Sequence, residues 1–116
     1  MKVISYNVNG IRAAVNKGLY QWLEQESPDI LCLQEIKATE DKIDVFTIQS
    51  LGYNYYFHPA EKKGYSGVGI LTKRMPDLVK IGMGIPDYDR EGRVLRADYG
   101  DVTVICVYIP SGTMGD

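Results

Sequence analysis

The 116-residue chain is long enough for one domain with a substantial core, because folding at this size hides roughly two-thirds of the unfolded surface. With 45% hydrophobic and 24% charged residues, its composition matches neither a disordered chain nor a membrane protein. A formal net charge of −2 excludes a grip on nucleic acid by bulk charge, although a local basic rim remains compatible with it.

In chain order, Val3 to Tyr6 is a short β-favouring run that ends in the turn cluster Asn7 to Gly10. Ile11, Val15, Leu19, Trp22 and Leu23 then recur at spacings of three and four, which predicts a helix with one apolar face. Gly18 lies inside that pattern and predicts an irregularity there, and Ser27-Pro28-Asp29 stops the helix. Ile30 to Leu33 is continuous and apolar, as in a strand covered on both faces. Strand, helix, strand in that order predicts a crossover and a parallel pair. Thr39 is the expected N-cap of a second helix running through Ile43, Phe46 and Leu51, with Gly52 at its C-terminal stop.

Beyond Gly52 the pattern is all β: Tyr53 to Phe57, Val68 to Thr72, Leu78 to Ile81, Val94 to Tyr99 and Val102 to Ile109. Gly100-Asp101 suits a two-residue type II′ hairpin between the last two. Val102, Val104 and Cys106 lie on one face of the final strand and Ile105, Val107 and Ile109 on the other, so both faces are expected to be covered. The expected fold class is α/β, with a mixed sheet of about seven strands and two helices. Helices suffice for one face of such a sheet only, so the pattern alone points to a fragment.

Cys32 and Cys106 both sit in apolar runs and read as reduced core residues rather than a disulfide or zinc pair. No run approaches ~18 apolar residues and the start lacks a signal-peptide core, so a cytoplasmic protein with no membrane partner is expected.

Three strand ends carry side chains with chemistry. Asn7 closes the first strand and Glu35 the second, and parallel neighbours would bring them out together at the carboxyl edge of the sheet. An amide oxygen and a carboxylate suit Mg²⁺, which fills its remaining positions with water and phosphate. A turn-forming Asn7 and a solvated Glu35 account for the same residues. Tyr108 is either a rim residue of the last strand or a phenol facing a phosphate. The segment from Pro59 to Gly67, with Lys62, Lys63, Gly64 and Tyr65, is either a solvated loop or a contact for a nucleic-acid backbone. Asp89 to Arg93 is either a charged turn or an arginine cluster facing phosphate. His58, the only histidine, reads as structural. Metal-assisted hydrolysis also needs groups to activate water and assist the leaving oxygen, and Asn7, Glu35 and Tyr108 do not supply both.

Five segments, in order, together resemble the exonuclease III/apurinic-apyrimidinic endonuclease family. They are Tyr6-Asn-Val-Asn-Gly-Ile-Arg12-Ala, Pro28-Asp-Ile-Leu-Cys-Leu-Gln-Glu35, Gly64-Tyr-Ser-Gly67, Glu91-Gly-Arg93-Val and Val107-Tyr108-Ile-Pro110. The resemblance implies half of a four-layer α/β sandwich of two packed sheets with helices outside. It implies abasic-site endonuclease and 3′-5′ exonuclease activity with Mg²⁺ or Mn²⁺, on double-stranded DNA with abasic sites or 3′ ends. By position it makes Asn7 and Glu35 metal-site residues, Tyr108 the active-site tyrosine, and Arg12, Gly64, Tyr65 and Arg93 DNA contacts.

Two positions depart from the family's pattern: Ile36 stands where Thr is common, and Ser111 where some relatives carry Asn. Members are roughly double this length, so residues 1–116 are expected to be the amino-terminal half of one nuclease domain. The missing half would hold the Gly-Asp-x-Asn element and the Asp-His pair that supply general acid and base. An isolated chain of this kind is expected to be inactive, and to self-associate or await its other half. The alternatives are a non-catalytic remnant or binding scaffold, or a related metal phosphodiesterase with an RNA or phospholipid substrate.

Overall fold

The computed structural model describes residues 1–110, and the position of Ser111 lies outside them. Among the described residues seven strands form two sheets, as the family resemblance implies, and not the single mixed sheet read from the pattern alone. The first sheet has the order β1-β2-β4-β3, formed by β1 (Val3–Asn7), β2 (Ile30–Gln34), β4 (Val68–Thr72) and β3 (Asn54–His58). The predicted parallel pair holds, with Val3 opposite Ile30 and Asn7 opposite Gln34, while β4 runs antiparallel to both β2 and β3. The second sheet is the antiparallel meander β5 (Leu78–Ile81), β6 (Val94–Asp98), β7 (Thr103–Val107). Its hairpin closes on Gly100-Asp101, where the Tyr99 N–H donates to the Val102 carbonyl at 2.7 Å and Gly100 takes φ +81°. A positive φ at the first central residue alone is the signature of type II′.

Helices cover one face of the first sheet and the second sheet covers the other. Leu31, Leu33 and Leu71 point into the helix-side core with Ile11, Leu23 and Ile48. Ile30, Cys32, Val68 and Ile70 point the other way, onto Leu95, Ala97, Tyr99 and Cys106. Each of these burials removes roughly 1.5–3 kcal/mol worth of large apolar side chain from water, which is why β2 and β4 tolerate no polar alternation. Cys32 and Cys106 are both free and buried, as the apolar runs predict.

The helices differ from expectation in two places. The single helix from Ile11 is two, α1 (Ile11–Asn16) and α2 (Leu19–Glu26), because Gly18 takes the left-handed φ +104° that ends one and begins the next. Thr39 caps no α-helix. Its hydroxyl pairs with Asp41 across a 3₁₀ turn (Glu40–Lys42), and α3 (Val45–Ser50) starts later, where the Asp44 carboxylate accepts from the Thr47 N–H at 3.2 Å. The later start turns Phe46 outward to 82% exposure and makes Ile48 the buried residue. A fourth helix, α4 (Pro86–Asp89), is a single turn.

The final strand is covered on one face only. Cys106 is buried between the sheets, whereas Ile105 is 55% and Ile109 81% exposed. β7 lies across β2 and β4, and β6 across β4 and β3. β1 therefore extends past the second sheet, and Val3, Ser5 and Asn7 on it are exposed.

Candidate active site

The chain leaving β2 is tied along the chain leaving β1. The Val8, Gly10 and Ile11 amides donate to the Gln34, Glu35 and Ile36 carbonyls at 3.1, 2.7 and 3.0 Å. Glu35 and Lys37 both hold positive φ, +54° and +52°, a conformation that L residues keep only when their surroundings enforce it. Ile36 between them is fully buried. Its amide donates to the Gly67 carbonyl at 3.1 Å, and a Cβ on Gly67 would fall 2.7 Å from its side chain. Ile36 thus serves the core, and only Glu35 and Lys37 turn toward the site.

Asn7 and Glu35 meet as the parallel register predicts. The Asn7 amide nitrogen donates to Glu35 Oε2 at 2.6 Å, and its oxygen accepts from the Asn9 N–H at 3.0 Å. The Lys37 ammonium sits 3.4 Å from Glu35 Oε1 and donates to Asn9 Oδ1 at 2.6 Å. In this arrangement Asn7 aims the carboxylate, while Glu35 is the oxygen donor with a formal charge. A carboxylate flanked by amides suits a hard cation that keeps waters and takes phosphate oxygens. No group of three His, Cys, Asp or Glu side chains able to hold a metal occurs among the described residues, so the donor set fits part of such a site.

Tyr108 joins this edge from the second sheet. Its amide donates to the Arg93 carbonyl at 2.9 Å, extending the β6–β7 ladder by one residue. Burial pushes its phenol above the ordinary tyrosine range, and the negative charge of Glu35 adds to the shift. The phenol therefore stays protonated, a donor, across the neutral range.

Arg12, Lys37, Lys42, Lys62, Lys63 and Tyr65 line a cavity of about 140 Å³ beside the strand tips. Lys62 lies over the Tyr65 ring at 5.3 Å. The loop carrying this cluster is clamped on both sides. Lys37 N–H donates to the Ser66 carbonyl at 2.9 Å on one side, and Glu61 N–H to the Arg90 carbonyl at 2.9 Å on the other. Gly92, at φ +61°, lets the two segments touch: a Cβ there would lie 2.6 Å from the Ala60 nitrogen and 2.7 Å from the His58 oxygen.

Arg12, Gly64 and Tyr65 are thus brought together. Arg93 stands apart from that cleft, near Tyr108, 3.5 Å from Glu91 and over the Tyr88 ring. His58 is partly buried, its Nε2 has no partner among the described residues, and burial lowers its pKa. Lys37, Asn9 and Ser66 are site residues that sequence reasoning passed over; only the proximity of Lys37 to Glu35 in sequence could have drawn attention to it. A larger hollow of about 590 Å³ lies between β1 and the first two helices, and no carboxylate lines it.

Two packed sheets with helices on the outer face of the first, and polar side chains gathered at strand tips, define an α/β sandwich. The model described as "Endonuclease/Exonuclease/phosphatase family" matches residues 4–110, and the chain belongs to that family. It is 41% identical over 116 residues to a DNA-(apurinic or apyrimidinic site) endonuclease of Dictyostelium discoideum, a match covering 99% of this chain and 32% of that protein. It is 40% identical to an exodeoxyribonuclease of Bacillus subtilis, covering 99% of this chain and 45% of the relative. Among solved structures, a 3′ phosphatase from Neisseria bound to a product DNA hairpin superposes with a TM-score of 0.81 at 32% identity, covering 93% of this chain and 41% of that one. The chain spans less than half the length of these relatives. No helix among the described residues is long and apolar enough to cross a membrane.

Proposed function

We propose that this chain is the amino-terminal half of a Mg²⁺- or Mn²⁺-dependent DNA phosphodiesterase, an abasic-site endonuclease and 3′-5′ exonuclease of repair. The observation that carries the reading is the meeting of Asn7 and Glu35 at the edge of the first sheet, with Tyr108 brought beside Glu35 by the second, next to a cleft lined by five cationic side chains. Glu35 would hold the ion, with Asn7 fixing the carboxylate's direction. When bound, the ion would offset charge on the scissile phosphate. Tyr108, kept protonated, donates to a phosphate oxygen. Arg12, Gly64 and Tyr65 meet the DNA backbone through charge, close backbone approach and a ring for stacking, and Arg93 supports the phosphate from the Tyr108 side.

Asn7, Glu35 and Tyr108 do not together supply both a base for the attacking water and an acid for the leaving oxygen. The carboxy-terminal half supplies them, and seats against the open edges of β1 and β7 and the bare face carrying Ile105 and Ile109. Without it, those edges and that face favour self-association. Two free, buried thiols suit a reducing compartment such as the cytoplasm.

Incubating the 116-residue chain with Mg²⁺ and an abasic-site duplex tests the reading. Binding without strand cleavage is expected. Turnover matching a full-length relative would overturn the two-half assignment, and cleavage of RNA or a phospholipid head group in preference to DNA would overturn the substrate.

A further inference from the structure

Lys37 belongs to two places at once. Its ammonium lies 3.4 Å from Glu35 Oε1 and 2.6 Å from Asn9 Oδ1, so it sits on the carboxylate edge of the site. It also lines the basic cleft with Arg12, Lys42, Lys62 and Lys63, and its backbone amide is anchored to Ser66 of the loop that carries the cleft. Among the described residues it is the only one of these five cations engaged in an ion pair. Its side chain is 34% exposed and that of Glu35 21%, so the pair is partly shielded and its charges are felt.

We propose that Lys37 is a counter-ion switch that couples phosphate binding in the cleft to divalent-ion binding at Glu35. The inference rests on Glu35 being the ion ligand, as read above. With the cleft empty, Lys37 neutralises Glu35 and opposes a second cation there. A phosphate in the cleft offers Lys37 a charge-assisted partner of its own, in place of a carboxylate that also accepts from Asn7. Glu35 then exchanges Lys37 for the divalent ion. Because the coupling is a free energy between two sites, it is reciprocal: occupancy of Glu35 by the ion also tightens the cleft's hold on phosphate. The ion pair thereby keeps the metal site weak until the backbone of a nucleic acid has arrived.

Mn²⁺ binding, read by calorimetry or by the Mn²⁺ resonance signal, tests this on the full 116-residue chain without any cleavage readout. Lys37→Met keeps the length of the side chain and removes its charge, and is expected to tighten Mn²⁺ in the absence of DNA by roughly fivefold to tenfold. Lys37→Arg keeps the charge and is expected to bind as weakly as the wild type. A short duplex, corrected for Mn²⁺ bound by the duplex alone, should tighten Mn²⁺ binding to the wild type and have a smaller effect on Lys37→Met. Thermal melting without ion reports whether methionine is tolerated at φ +52°, and Lys37→Gln removes the same charge if it is not. Equal Mn²⁺ affinity in wild type, Lys37→Met and Lys37→Gln, all lost in Glu35→Gln, would overturn the switch and leave the ion ligand standing. No Mn²⁺ binding that depends on Glu35, with or without duplex, would overturn both.

Discussion

The central strands β2 and β4 and the outer strands β1 and β7 are built to different rules. Every residue of β2 and β4 is buried, with helices on one face, a sheet on the other and a strand along each edge. In the outer strands, by contrast, four of five residues of β1 and three of five of β7 are exposed. The same alternating apolar sequence that buries Cys106 leaves Ile105 bare one residue earlier. The contrast teaches that burial is complete around the middle of the molecule and open where the candidate site lies: Glu35 directly follows the fully buried β2, whereas Asn7 ends the largely exposed β1 and Tyr108 follows the largely exposed β7.

Truncation in each region gives the largest expected contrast. Leu71→Ala, in the fully buried strand β4, should cost about 2–5 kcal/mol. Ile105→Ala, at 55% exposure on β7, should stay within about 0.5 kcal/mol. Urea unfolding of both variants decides it, and equal losses would erase the distinction between middle and edge. Gly92→Ala sharpens the comparison at the clamp between the regions. A Cβ there meets backbone on three atoms and a left-handed φ, so about 1–3 kcal/mol of stability should be lost. Affinity for duplex should fall with it, as the Lys62–Tyr65 loop comes away from the strand tips. Unchanged affinity in a titration at low salt would show that the clamp does not position the loop.

A smaller effect is expected at alkaline pH. Burial raises the Tyr20 phenol to about 12, the nearby Asp44 charge adding to the shift. The folded chain keeps this proton where the unfolded chain has lost it, so the native state binds more protons and stability falls as pH rises from about 10 towards 12. Urea midpoints should be flat up to about pH 9 and decline above it, and a Tyr20→Phe variant should decline less steeply. A rise in the midpoint over that range would contradict the burial of Tyr20 in the helix-side core.

Much of this architecture was legible in the sequence. Five strands from Gly52 onward and the Ile30 strand were legible because apolar runs bounded by Gly, Pro and Asp leave no other local solution. The parallel pair of β1 and β2 followed from strand, helix, strand, and with it the meeting of Asn7 and Glu35. The periodic pattern did not divide the strands into two sheets, since alternation reports that a face is covered and not by what; only the family resemblance implied two packed sheets. Thr39 was the wrong cap because Asp44, five residues on, bonds the Thr47 amide and hydroxyl together, a choice propensity does not rank. The clamp at Ser66 and Gly92 and the double engagement of Lys37 arise from contacts between segments far apart in the chain, and no local pattern encodes them.

Glu35 and its neighbours are proposed to form one half of a single hydrolytic site. Mixing this chain with the portion of the Bacillus subtilis relative that the match leaves uncovered, and following abasic-site duplex in Mg²⁺, tests it directly. Cleavage should appear only in the mixture and should vanish when the chain carries Glu35→Gln. Equal cleavage by the mixture containing that variant, or by the relative's portion alone, would contradict it.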